Sequence, residues 1–250
     1  MAEPLLRVDG LTKRFGGLTA SDAISLDVLD GELHAVIGPN GAGKTTFIAQ
    51  LMGELKPDAG SIRFGGVDIT RMSTPDRVHR GIGRTFQIVQ LLPEATALAN
   101  VAIAVQVRQG HSFRFLAPVA RDRTLLEPSQ ALLARVGLSA RADIPVAALS
   151  HGERKQLELA VALASEPRLL LLDEPMAGLG PVESRRMLEL LAELKGHVAM
   201  LLVEHDMETV FALADRISVL VYGRIIASGT AAQIQADPEV RSAYLGEGDA

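Results

Sequence analysis

Gly38, Gly43, Lys44 and Thr45 occupy the fixed places of the pattern G-x-x-x-x-G-K-[ST], with Pro39, Asn40, Gly41 and Ala42 between them and Thr46 directly after. The chemistry this spacing serves is the holding of a polyphosphate. Glycines let the backbone bend until successive N–H groups point inward, and a helix N-terminus beside that nest adds partial positive charge for an anion. Lys44 then reaches the β and γ phosphates, and the Thr45 hydroxyl takes one Mg²⁺ position. The flanks fit. Residues 33–37 are a short apolar run suited to a buried strand, and residues 45–53 have helical composition, which is the context the motif requires.

Two carboxylates stand where such a loop needs a partner. Residues 169–172 are four leucines, with Asp173, Glu174 and Pro175 after them. A buried parallel strand delivers the residues at its end to the carboxyl edge of its sheet, where ligands bind. Asp173 is placed to hold Mg²⁺, directly or through water, and Glu174 to orient and polarise an attacking water. A second apolar strand, residues 198–203, leads to His205. A histidine at a strand end is most often an ordinary surface residue; beside the nucleotide strands its imidazole can hydrogen-bond the γ-phosphate or the water.

Ser150, with Glu153 three residues later, is a capping-box pattern opening a helix that runs towards residue 165. With Ser150 at the N-cap and Gly152 in the first turn, N–H groups remain for another anion. Phe15 comes after Lys13 and Arg14 and precedes Gly16 and Gly17, which sets a flat ring on an open loop. It reads either as a half-buried phenylalanine or as a platform for adenine.

Periodicity and turn signals outline the scaffold around these side chains. Residues 5–8, 23–28 and 33–37 are strand-like, with Asp9-Gly10 and Asp30-Gly31 as turns between them. Residues 61–69 read as two short strands about Gly65-Gly66, a helix starts at Ser73, and residues 81–87 are β-like and end in Gln87. From about 88 to 149 the composition turns to Ala, Leu and Gln, helical over 94–109 and 122–137, with Pro118, Pro128 and Pro145 as breaks. This is a helical subdomain inserted into a sheet, between a core of 1–87 and 150–250. Its stretch 108–123 mixes basic and aromatic residues, either as a surface loop or as a contact for a membrane partner or anionic lipid. Residues 217–227 form a hairpin turning at Tyr222-Gly223, and Asp237 and Pro238 suit the N-cap and first position of a last helix.

Bulk properties bound the reading. With 250 residues, 48% of them hydrophobic, the chain can bury a sizeable core as one domain with an insertion. Its longest apolar runs fall short of the ~18 residues that span a bilayer. The start lacks a basic region leading into an apolar signal core, so an intracellular protein is expected. The absence of cysteine excludes disulfides and thiolate metal sites, and a net charge of −5 argues against broad nucleic-acid binding.

With these elements in this order, the chain resembles the nucleotide-binding subunit of an ABC transporter across essentially its whole length. The resemblance implies an α/β P-loop NTPase (RecA-like) core with an antiparallel β subdomain and an inserted α-helical subdomain. It places adenine on Phe15, the Walker A loop at 38–46, the Q-loop at Gln87 as sensor of Mg²⁺ or water, and the signature at 149–153. Walker B falls at 169–173, with Glu174 the catalytic glutamate and His205 the switch histidine. It further implies a head-to-tail dimer with an identical or paralogous ATPase subunit. In that dimer Ser150, Gly152 and Glu153 complete the site that binds ATP and Mg²⁺ on the other chain. Two membrane permease subunits, and indirectly a periplasmic or extracellular solute-binding protein, are the remaining partners, at the cytoplasmic face of the plasma membrane.

Arg84-Thr85-Phe86-Gln87 and residues 176–180, 203–207 and 237–246 resemble the ATPases of branched-chain amino-acid uptake. That branch is similar to those for urea, amides and aromatic acids, and lipopolysaccharide-type exporters are also similar. Soluble ABC ATPases of ribosomes or DNA carry two cassettes or a long coiled coil, and this chain has neither. Three positions depart from the family pattern: His151 and Glu153 in the signature, and Gly180 where an acidic residue is usual.

Overall fold

The computed structural model describes residues 3–85, 91–110 and 122–245. These divide into two compact units, one of residues 1–82, 168–174 and 194–250, the other of residues 83–167 and 175–193. The second unit is larger than the expected insert of 88–149, because it also takes the helix after Ser150 and most of the helix after Gly180.

The first unit holds one sheet whole and a second except for most of its edge strand, residues 82–84, which passes into the second unit at Gly83. Strands β1 (Leu6–Phe15), β2 (Leu18–Val28), β4 (Ala59–Phe64) and β5 (Val67–Asp68) form an antiparallel sheet in the order β2-β1-β4-β5. The other sheet has the order β10-β9-β3-β8-β7-β6. Its members are β3 (Leu33–Ile37), β6 (Ile82–Arg84), β7 (Leu169–Asp173), β8 (Ala199–Val203), β9 (Arg216–Val221) and β10 (Arg224–Gly229). β3, β7, β8 and β9 run parallel, and β10 turns back antiparallel on β9. Every residue of β3, β7 and β8 is buried, which explains why these strands read as apolar runs apart from His34 in β3 and Asp173 at the end of β7.

Successive side chains of β3 separate the apolar interior into two layers, as the period of a strand requires. Val36 joins Phe47, Ile48 and Leu51 of helix α1 (Lys44–Met52) and the inner faces of the antiparallel sheet. Ala35 and Ile37 pack instead with Val210, Ile234 and Val240. Those three belong to helices α7 (Met207–Leu213), α8 (Ala231–Ala236) and α9 (Pro238–Leu245). Asp237 caps α9 as expected, accepting hydrogen bonds from the N–H groups of Glu239 and Val240.

Helix α1 is closed at its far end by a side chain that sequence reading did not single out. Arg77, on helix α2 (Thr74–His79), is 1% exposed, and its guanidinium donates to the carbonyls of Gln50, Leu51, Thr70 and Met72. A cation on the last carbonyls of a helix satisfies orphan acceptors and complements the dipole. Burial draws its pKa down to about 10, which leaves it charged at neutral pH.

In the second unit, helices α3 (Ala97–Arg108), α4 (Arg123–Arg135) and α5 (His151–Ala164) pack on one another, and α6 (Pro181–Leu194) comes after them in the chain. Arg135 of α4 pairs with Glu193 of α6 at 2.9 Å. No helix among the described residues is long and apolar enough to cross a membrane.

Three local expectations are corrected. Asp9-Gly10 does not end a strand: Gly10, with φ +59°, sits at an irregularity inside the continuous β1, where the register to β2 shifts between Val8 and Leu11. An Asp-Gly pair serves a bulge as readily as a turn, since both use the left-handed region. Pro128 lies inside α4 and does not break it. Phe15 is the last residue of β1, paired with Leu18 across the Gly16-Gly17 turn, and not on an open loop.

Candidate functional site

The loop from Gly38 to Thr46 leaves β3 directly and passes into α1, whose N-cap is Gly43 with no side-chain capping bond. Two of its glycines have no room for any other residue. A Cβ on Gly38 would lie 2.0 Å from the Leu220 carbonyl oxygen, and one on Gly43, at φ +105°, would lie 2.2 Å from that of Ala20. Gly41, at φ +78°, faces open space. The loop is held from behind: Gly223 N–H, in the β9–β10 turn, donates to the Ala42 carbonyl at 2.9 Å. Lys44 is buried and curls back over the loop, its ammonium donating to the carbonyls of Gly38 at 2.5 Å and Pro39 at 3.0 Å. An uncapped helix start, forced glycines and a tethered lysine fit a polyphosphate.

Strand register delivers the other groups to the same edge. Ile37 is level with Val219, Val36 with Val203, and Asp173 with Val203. β8 therefore lies between β3 and β7, and Glu204 and His205 leave the sheet between the phosphate loop and the pair Asp173–Glu174. Asp173 is 1% exposed. Glu174 has φ +49°, a conformation that costs a non-glycine residue about 1 kcal/mol or more, and its N–H donates to Val203 O at 2.9 Å. The turn aims its carboxylate at His205, whose Nδ1 lies 3.9 Å from Glu174 Oε1. Among the described residues no three His, Cys, Asp or Glu side chains could hold a metal by themselves. Mg²⁺ is commonly bound through one or two protein oxygens plus substrate phosphates and water. The exposed Thr45 hydroxyl and the Asp173 carboxylate are the protein oxygens of suitable chemistry.

Phe15, also in this unit, is 50% exposed, with Lys13 Nζ 5.6 Å from its ring centroid. Gln87 lies outside the described residues, as does most of the basic and aromatic stretch 108–123.

The second unit carries the serine-capped helix. Ser150 is the N-cap of α5 and its hydroxyl accepts Glu153 N–H at 3.2 Å, while Glu153 folds back to accept Ser150 N–H at 2.8 Å. That backbone bond, joined by Arg141 on the other carboxylate oxygen at 2.8 Å, holds the Glu153 carboxyl below the usual range. The departure from the usual glutamine thus preserves the cap. Gly152 is buried, and a Cβ there would meet the Glu183 carboxylate at 2.3 Å. Glu183 also accepts Gly180 N–H at 3.0 Å, so the turn that lacks an acidic residue at Gly180 is capped by one three positions later. Beyond Arg77, the residue that sequence reading missed is Glu204. Its signal was a charge at the end of an apolar strand, next to His205.

A family model described as ABC transporter matches residues 21–177, and one described as branched-chain amino acid ATP-binding cassette transporter matches residues 224–250. The chain is 39% identical to the high-affinity branched-chain amino acid transport ATP-binding protein LivG of Salmonella typhimurium, with 99% of this chain and 100% of LivG covered. It has the same identity and coverage with the corresponding BraF of Pseudomonas aeruginosa. Among solved structures, a nucleotide-free ATP-binding cassette from an ABC transporter superposes with a TM-score of 0.85 at 30% identity, covering 97% of this chain and 99% of that one. The ADP conformation of the cassette MJ1267 gives 0.85 at 31%, covering 98% and 100%.

Proposed function

This chain belongs to the ATP-hydrolysing cassettes of ABC transporters, in their branched-chain amino acid branch, and from that membership we propose that it uses MgATP to drive the import of branched-chain amino acids. The observation that carries the reading is the shared carboxyl edge of the six-stranded sheet, where the phosphate loop, Asp173, Glu174 and His205 leave neighbouring strands.

Each residue has a part. Backbone N–H groups of 38–46 hold the β and γ phosphates of ATP, with Lys44 leaving its carbonyl partners to reach them. Thr45 and Asp173 would hold Mg²⁺, which would neutralise phosphate charge, and Gln87 would sense it. Glu174 takes the proton of the attacking water, and His205 donates to the γ-phosphate. Phe15 stacks on adenine. Ser150, Gly152 and Glu153 close on the nucleotide of a second cassette, head to tail, so that ATP joins the two chains and hydrolysis releases them. That cycle moves two permease subunits at the cytoplasmic face of the membrane, fed from the other side by a solute-binding protein.

The test is uptake of labelled leucine by cells lacking the chain. Wild-type protein is expected to restore it and Lys44→Ala to fail; uptake indifferent to the chain would overturn the assignment of solute.

A further inference from the structure

Glu204 is 0% exposed, as is every residue of the preceding strand β8. Burying a carboxylate there costs several kcal/mol relative to an apolar side chain unless its contacts compensate. Its contacts with the neighbouring histidine suggest a use for the charge. Glu204 Oε2 accepts the backbone N–H of His205 at 3.2 Å and lies 3.8 Å from the His205 Nδ1. Glu174 Oε1 approaches the same ring nitrogen at 3.9 Å. One edge of the imidazole thus faces two carboxylates, one on a buried strand end and one on the residue read as the base.

We propose that Glu204 is a positioning residue for ATP hydrolysis, holding His205 through its backbone N–H and setting a carboxylate opposite its Nδ1 edge. This rests on the roles given above to His205 and Glu174. It has two consequences. The ring is oriented so that Nε2 is the nitrogen offered to a phosphate oxygen, much as a carboxylate orients a catalytic imidazole elsewhere. In addition, the contact with Glu204 offsets the attraction of His205 for Glu174. The base carboxylate then stays with its water instead of closing on the imidazole.

The experiment compares ATP turnover by the purified full-length chain with Glu204→Gln, His205→Ala and both together, alongside thermal melting and binding of a fluorescent ATP analogue. Gln keeps the shape and an acceptor but removes the charge. Expected for Glu204→Gln is a kcat lowered about tenfold, with the KM for ATP within about twofold of wild type and an unchanged melting temperature. The double variant should be no slower than His205→Ala alone, because the two residues act as one unit. Wild-type turnover by Glu204→Gln beside a slow His205→Ala would overturn the proposal and leave the histidine's role standing. So would losses that multiply in the double variant, or a Glu204→Gln that loses turnover only because it unfolds. A His205→Ala with wild-type turnover would overturn both readings.

Discussion

The imidazole of His34 in β3 places Nε2 2.8 Å from Ser218 Oγ in the adjacent strand β9, and Ser218 Oγ lies 3.0 Å from Ser228 Oγ in β10. A polar line thus crosses three neighbouring strands of the sheet. Its other nitrogen, Nδ1, is 3.0 Å from the Asp27 carbonyl. Burial first, and then the nearby Arg216 cation, lower the His34 pKa from 6.5 to about 4, against the opposing pull of Glu32 and Asp27.

This makes stability acid-sensitive with a definite sign. Above pH 6.5 the ring is neutral in both folded and unfolded chains and contributes no slope. Between 6.5 and about 4 only the unfolded chain takes the proton, so stability falls as pH falls, by roughly 3 kcal/mol over the window. Urea unfolding of His34→Gln and wild type at pH 7 and pH 5 checks it. The wild type should lose about 2 kcal/mol more than the variant between those values, and parallel losses would contradict the assignment.

Gly43→Ala tests the loop. The added carbon must enter a space 2.2 Å from the Ala20 carbonyl oxygen at a φ of +105°. We expect a loss of more than about 2 kcal/mol of stability and no measurable binding of a fluorescent ATP analogue. Gly17→Ala, where nothing lies within 4 Å and φ is not positive, should behave as wild type in both measurements.

Ser150→Ala separates a structural cap from a functional one. Loss of the bond to Glu153 N–H should cost about 1 kcal/mol of stability. If the serine also serves a neighbouring chain's nucleotide, ATP affinity of the isolated chain should hold while steady-state turnover collapses. Turnover at the wild-type rate, with only the stability loss, would reduce Ser150 to a helix cap.

Much of this was legible because the chemistry is local. The phosphate loop carries its strand and helix on either side, and the Ser150 box and the Asp237-Pro238 start are satisfied within a few residues of themselves. The features that were not legible depend on partners far along the chain. Arg77 looks like any arginine on a short polar helix until Gln50 and Leu51 are brought to it. Glu204 looks like the polar end of a strand until β3 and β7 close on both sides of β8. The misread Asp9-Gly10 and Pro128 have one cause: a turn signal states a backbone preference, and pairing or packing decides whether the chain stops there. Helix α5 packs on α3 and α4, a grouping no local signal in residues 150–165 could have announced.

Hydrolysis by Glu174→Gln bears on the proposed chemistry at its centre. The variant leaves the phosphate loop untouched and replaces, at the turn of φ +49°, only the carboxylate proposed to take the water's proton. Measured side by side with wild type, it should bind ATP within about threefold of wild-type affinity, lose turnover by about 100-fold or more, and run as an ATP-dependent dimer on size exclusion. Turnover at the wild-type rate by Glu174→Gln, with ATP bound, would contradict the role of Glu174 as base and the hydrolytic cycle built on it.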